Sequence, residues 1–160
     1  MAATSWSSKN QRIKDLYRDF NGNARRGKIL SWYIDSSAIL KLIFTEKETS
    51  DLDKVMTNQM ITSTLTRVEV KRAVNRINPD KLVVANDVLA QIKYTELDSQ
   101  TLALAEAFTP SVTLRTLDAI HVASVLRIPD AVTGIISYDK QMVTNARKMG
   151  INVLSPGAKL

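Results

Sequence analysis

Short apolar runs alternate along most of this chain with longer stretches whose apolar residues recur every three or four positions. The runs predict strands and the stretches predict amphipathic helices. Read in order from Ile29, the pattern predicts a strand at Trp32–Ile34, a helix over Ser36–Phe44 and another around Glu48–Thr57. A strand at Gln59–Thr62 then leads into a helix over Ser63–Ile77, which Asn78-Pro79 stops. A further helix covers Pro79–Gln91, followed by a strand at Lys93–Leu97 and a helix capped by Asp98-Ser99 that runs to Phe108. The pattern ends with a helix at Thr116–Leu126, a strand at Val132–Ser137, a helix at Lys140–Lys148 and a strand at Asn152–Leu154. This alternation predicts an α/β fold, a three-layer α/β/α sandwich around a parallel sheet. Residues 1–28 differ: they read as a basic N-terminal extension, preceding a domain over 29–160. Ile13, Leu16, Tyr17 and Phe20 recur at helical spacing and allow a short helix over Gln11–Phe20.

Composition narrows the class. At 160 residues, with 44% hydrophobic and 24% charged positions, the chain suits one globular domain with a core. No apolar run approaches the roughly 20 residues that a membrane-spanning helix needs. The opening Met1-Ala2-Ala3-Thr4-Ser5-Trp6 lacks the layout of a secretory signal, and cysteine is absent. The expectation is a cytoplasmic protein without disulfides or a membrane span. Its formal charge of +6 is unevenly spread: residues 1–31 carry a net +5 and the rest a net +1. Overall charge therefore does not mark the main body as a nucleic-acid binder.

The candidate chemistry lies in four acids. Asp35 closes the run Ile29-Leu30-Ser31-Trp32-Tyr33-Ile34, and Asp139 follows the run that ends at Tyr138. Glu69 and Asp118 each fall just inside the start of a predicted helix. In an open parallel sheet, residues at the carboxyl ends of strands meet at one crevice. Carboxylates gathered there repel one another unless protons or cations intervene, and a hard divalent metal relieves that repulsion. Singly, each acid also has a structural reading. Asp35 and Asp139 sit where Asp caps helices, Glu69 follows Thr66 at capping-box spacing, and Asp118 suits the positive end of a helix dipole. Asp98 has the same capping context and serves as an internal control. Oxygen ligands without cysteine, and with His121 as the single histidine, favour Mg²⁺ or Mn²⁺ over Zn²⁺. His121 itself reads as a packed or hydrogen-bonded helix residue.

Other chemistries lack their parts. There is no Ser-His-Asp or Cys-His arrangement, no GxxxxGK[ST] loop and no GxGxxG. Metal-assisted hydrolysis is what remains. Arg67, Lys71, Arg72 and Arg76 surround Glu69 in sequence, and Arg115 precedes Asp118 by three residues. Arg67 and Arg115 are candidate phosphate contacts, giving affinity without sequence reading. The plain alternative for each is a solvated helix surface.

Four segments carry a family resemblance: Tyr33-Ile34-Asp35-Ser36-Ser37-Ala38-Ile39-Leu40-Lys41-Leu42, Thr62-Ser63-Thr64-Leu65-Thr66-Arg67-Val68-Glu69, Leu114-Arg115-Thr116-Leu117-Asp118-Ala119-Ile120-His121-Val122-Ala123 and Ser137-Tyr138-Asp139. In order and context they resemble PIN-domain ribonucleases of the VapC toxin type, as does the ending Val153-Leu154-Ser155-Pro156-Gly157. The likeness spans roughly residues 32–158. It implies that Asp35, Glu69, Asp118 and Asp139 form the family's acidic quartet, catalytic and binding Mg²⁺ or Mn²⁺. Ser36 occupies the family's hydroxyl position, which orients a ligand or water. The resemblance further implies endoribonuclease activity on RNA such as transfer or ribosomal RNA, a homodimer, and a cognate VapB-type antitoxin. Members usually begin at the first strand, so residues 1–28 are a departure whose role stays open. Two competitors stand beside this reading. One is a catalytically silent PIN-like module acting through a protein or RNA partner. The other is a phosphoacceptor receiver, which would want paired acids after the first strand; here Ser36-Ser37 follow Asp35.

Overall fold

A computed structural model describes residues 31–56 and 59–160. The basic extension over 1–28, its helix at Gln11–Phe20, and the end of the predicted helix at Thr57 lie outside the described residues. The chain runs β1 (Ser31–Ile34), α1 (Ser36–Phe44), α2 (Thr49–Val55), β2 (Ile61–Ser63), α3 (Thr64–Ile77), a 3-10 turn (Pro79–Lys81) and α4 (Leu82–Ala90). It continues through β3 (Lys93–Thr95), α5 (Ser99–Glu106), α6 (Thr116–Arg127), β4 (Val132–Ile136), α7 (Lys140–Lys148) and β5 (Val153–Leu154). Every strand pairing is parallel and the order is β3-β2-β1-β4-β5. The α/β/α sandwich expected from the alternation is the observed fold.

Apolar runs without alternation mark strands buried on both faces. Neighbouring residues of β1 and β4 accordingly enter opposite cores. Tyr33 and Ile135 pack with Val122, Leu126 and Met142 from α6 and α7, whereas Ile34 and Ile136 pack with Ile39, Leu52, Val70 and Leu89 from α1 to α4. Gly134 in β4 is required by close approach: a Cβ there would meet the Asn152 carbonyl oxygen at 2.2 Å and the Trp32 ring at 2.7 Å.

Strand order places the site. After β3 at one edge, the chain crosses to β4 on the far side of β1, so the winding reverses between β1 and β4. The crevice beyond the carboxyl ends of those two strands is where open α/β sheets bind ligands. Tyr33 pairs with Ile135 and Ile34 with Ile136, and this register sets Asp35 and Ser137 side by side at the crevice floor.

Several predicted elements change in detail, among them the strand expected over Gln59–Thr62, which is β2 at Ile61–Ser63. The helix expected over Pro79–Gln91 divides, because Asn78 caps a 3-10 turn beginning at Pro79 before α4 starts at Leu82. The strand expected over Lys93–Leu97 stops at Thr95, since β3 is an edge strand whose single neighbour, β2, is three residues long.

Candidate active site

Asp35 is 2% exposed and lies at the floor of the crevice. It caps α1, with Oδ1 accepting hydrogen bonds from the Ala38 amide at 3.0 Å and the Ser37 hydroxyl at 2.6 Å. Oδ2 accepts from the Ser137 hydroxyl at 2.6 Å. Burial raises the Asp35 pKa above the ordinary aspartate value; the Ser137 and Ser37 hydrogen bonds, the nearby His121 charge and the Ala38 amide oppose that rise. Ser137 also accepts from the Asp139 amide at 3.1 Å, so one hydroxyl ties two acidic positions together. Ser37 makes a similar link by accepting from the Tyr138 amide at 2.9 Å. Asp139 caps α7 through the Met142 amide at 2.8 Å.

Asp118 stands in the first turn of α6, whose N-cap, Arg115, supplies no side-chain cap. Its Oδ2 is buried and has no hydrogen-bond partner. Burial raises the Asp118 pKa, and the charges of Asp139 and Asp35 raise it further, against His121 and Arg115. Asp118 therefore lies within reach of the charges of both Asp139 and Asp35.

Glu69 is held differently. Its Oε2 accepts from His121 Nε2 at 2.6 Å, and His121 Nδ1 meets the Tyr33 hydroxyl at 2.8 Å. Burial is the largest influence on His121 and disfavours its charge, but Tyr33 and Glu69 together outweigh it and push the pKa up to about 10. The carboxylate can only accept, so Nε2 carries the proton of that bond, and Nδ1 shares its bond with the Tyr33 hydroxyl. The hydrogen-bonded helix residue expected from the sequence is thus what His121 is, and one of its bonds reaches a member of the quartet.

The capping-box reading of Glu69 does not hold. Ser63 caps α3 by accepting from the Leu65 amide, and Thr66 lies inside the helix with its hydroxyl bonded to that of Thr62 at 2.7 Å. Glu69 is therefore freed to face His121. Asp98 behaves as the control should, capping α5 through the Thr101 amide and standing near Arg127. The hydroxyls that hold Asp35 belong to Ser37 and Ser137; no described hydrogen bond involves the Ser36 hydroxyl. Arg67 stands apart from the acids, its guanidinium 5.4 Å from the Tyr94 ring on β3. It lines a cleft of about 260 Å³ with Lys71, Asn86 and Leu89. Two helical positions separate Arg67 from Glu69, which turns them to opposite sides of α3. Arg115 is exposed and acts on the Asp118 charge, so it borders the crevice. Sequence reading missed Ser37, Ser137 and Tyr33; the signal for Ser137 was its place at the end of β4, legible only with the register.

The donor chemistry of the crevice is that of hard carboxylate oxygens. Among the described residues, no three Asp, Glu or His side chains already form a ready-made ligand set. A buried carboxylate oxygen lacking any donor, beside two further carboxylates, nevertheless leaves a negative deficit that a hard cation relieves. Asp35, Asp118 and Asp139 would hold it.

The PIN domain family model matches residues 32–148. Ribonuclease VapC47 of Mycobacterium tuberculosis is 37% identical over 133 residues, covering 79% of this chain and 97% of the relative. Ribonuclease VapC35 of the same species is 34% identical over 131 residues, covering 78% and 96%. Among solved structures, a toxin–antitoxin complex from Klebsiella pneumoniae superposes with a TM-score of 0.63 at 15% identity, over 79% of this chain and 98% of that one. M. tuberculosis VapC20, a sarcin-ricin loop cleaving toxin, superposes at 0.60 and 13% identity, over 71% and 94%. At those identities the structural likeness speaks for the fold.

Proposed function

The chain belongs to the PIN-domain family in its VapC branch, and from that premise we propose that it is a metal-dependent endoribonuclease toxin of a toxin–antitoxin pair. The observation that carries this reading is the unpartnered, buried Oδ2 of Asp118 beside the charges of Asp139 and Asp35. Asp35, Asp118 and Asp139 would hold Mg²⁺ or Mn²⁺, with Glu69 directed at the same crevice. A bound divalent ion supplies charge neutralisation for a scissile phosphate and acidifies water for attack.

The chain's own residues do the positioning. Ser37, Ser137 and the Ala38 amide fix both oxygens of Asp35, so little reorganisation accompanies catalysis. The cap onto Met142 and the Ser137 contact fix Asp139 at the start of α7. Arg115, exposed beside Asp118, steadies the RNA backbone through a phosphate. Hydrolysis by water leaves a 3′-hydroxyl and a 5′-phosphate. The substrate is RNA of the transfer or ribosomal class, and a VapB-type antitoxin restrains the enzyme. The protein works as a cytoplasmic homodimer; among the described residues no helix is long and apolar enough to cross a membrane.

The test is incubation of purified, partner-free protein with RNA and Mn²⁺, with and without a chelator, beside Asp118→Asn. Cleavage that needs metal and is lost in Asp118→Asn supports the reading. Binding of RNA without cleavage under every metal condition would replace it with a silent PIN-like module.

A further inference from the structure

The fourth acid is anchored by a chain of contacts that starts in the core. Tyr33 is fully buried on β1, His121 is 1% exposed on α6, and Glu69 is partly exposed on α3. Their bonds of 2.8 Å and 2.6 Å join residues 88 and 52 positions apart in sequence. Tyr33 and His121 also meet edge to face, with ring centroids 6.0 Å apart. A buried ring gripped on both nitrogens has one orientation available to it. Glu is otherwise a flexible side chain that loses rotamer entropy when ordered. Here one carboxylate oxygen is already fixed by an N–H that cannot turn away.

We propose that His121 is a positioning residue, which through Tyr33 sets the Glu69 carboxylate toward the acidic crevice and thereby strengthens divalent-cation binding there. The inference rests on the metal-site reading above. His121 does not itself hold the cation, since both its nitrogens are engaged. Residues behind metal-binding groups typically contribute about 10–100-fold to affinity.

Two substitutions separate positioning from mere packing. In His121→Gln the amide nitrogen reaches the level of Nε2 and keeps the donation to Glu69. In His121→Asn the amide reaches only the level of Nδ1, keeping Tyr33 and abandoning Glu69. Mn²⁺ alone is titrated calorimetrically into wild type and both variants at neutral pH, with melting of the metal-free proteins recorded in parallel. The expected result is binding about 10–100-fold weaker in His121→Asn and intermediate between that and wild type in His121→Gln, which keeps the donation to Glu69 but loses the Tyr33 contact, at similar melting temperatures. Wild-type affinity in both variants overturns the proposal. Equal weakening in both, tracking lowered melting, also overturns it in favour of a packing role. Failure of wild type to bind Mn²⁺ removes the metal-site reading and this inference with it, a distinguishable outcome. Should neither His121 variant fold, Tyr33→Phe carries the test: it removes only the hydroxyl, weakened Mn²⁺ binding is expected, and unchanged binding overturns the proposal.

Discussion

Removing the Ser137 hydroxyl tests how the crevice floor is built. Ser137 is fully buried and Asp35 nearly so, and the 2.6 Å bond between them is the one described hydrogen bond to Asp35 Oδ2. Ser137→Ala opens almost no space, so the change isolates that bond and the acceptor lost by the Asp139 amide. A hydrogen bond to a charged group contributes about 1.5–3 kcal/mol, and the orphaned oxygen stays buried. For a domain of this size, about 2–4 °C of melting temperature accompanies each kcal/mol, so a fall of roughly 3–12 °C is expected. The pH dependence has a definite sign. Burial raises the Asp35 pKa and the Ser137 bond opposes the rise, so the variant's pKa climbs further. Below both folded-state values the carboxyl is protonated in either protein, and only a neutral hydrogen bond separates them. As pH climbs through those values, which lie above the ordinary aspartate range, the deficit grows to its full size. Urea and thermal denaturation in chelator, from acid to neutral pH, measure it. A loss under about 0.5 kcal/mol, or one that does not vary with pH, would refute the reasoning.

Asp118→Asn is expected to lower cleavage at least about 100-fold while leaving the metal-free protein as stable as wild type, or more so, at neutral pH. The sign follows from the raised Asp118 pKa: the native state binds the proton more tightly, so its ionisation costs stability as pH rises, and Asn removes that cost. Denaturation in chelator checks this, and marked unfolding would argue for a structural role. Asp139→Asn keeps the acceptor toward the Met142 amide and should retain stability while losing Mn²⁺ affinity in a calorimetric titration; Asp139→Ala should lose both, with about 0.5–2 kcal/mol from the missing cap. Asp98→Asn, away from the crevice, should cleave RNA at nearly the wild-type rate, and a large loss there would undo its use as a control.

Much of the fold was legible because apolar runs and helical periodicity agree with local capping signals. The helices at Ser36–Phe44 and Lys140–Lys148 occupy the residues the pattern predicts, each opened by an Asp cap. Asp35 and Asp139 stood out because each closes a strand run, and parallel topology then brings them to one edge. Asp118 required the added knowledge that the start of α6 faces the same crevice. What stayed hidden depends on register and on contacts distant in sequence. Ser137 meets Asp35 only because Ile34 pairs with Ile136, and no local pattern gives that pairing. The Thr66–Glu69 spacing imitates a capping box, but α3 starts directly after β2, so Ser63 is the cap and Thr66 already lies within the helix. Nothing local marks Tyr33, whose hydroxyl finds His121 only across the folded core. Arg67 follows the same logic, since its ring partner comes from an edge strand.

Anomalous scattering from crystals of the protein soaked in Mn²⁺ addresses the convergence of the carboxylates most directly. An anomalous peak in the crevice between β1 and β4, in contact with Asp35 and Asp118 and lost in Asp118→Asn, is the predicted result. Full Mn²⁺ occupancy elsewhere on the molecule, with none in that crevice, would contradict the account.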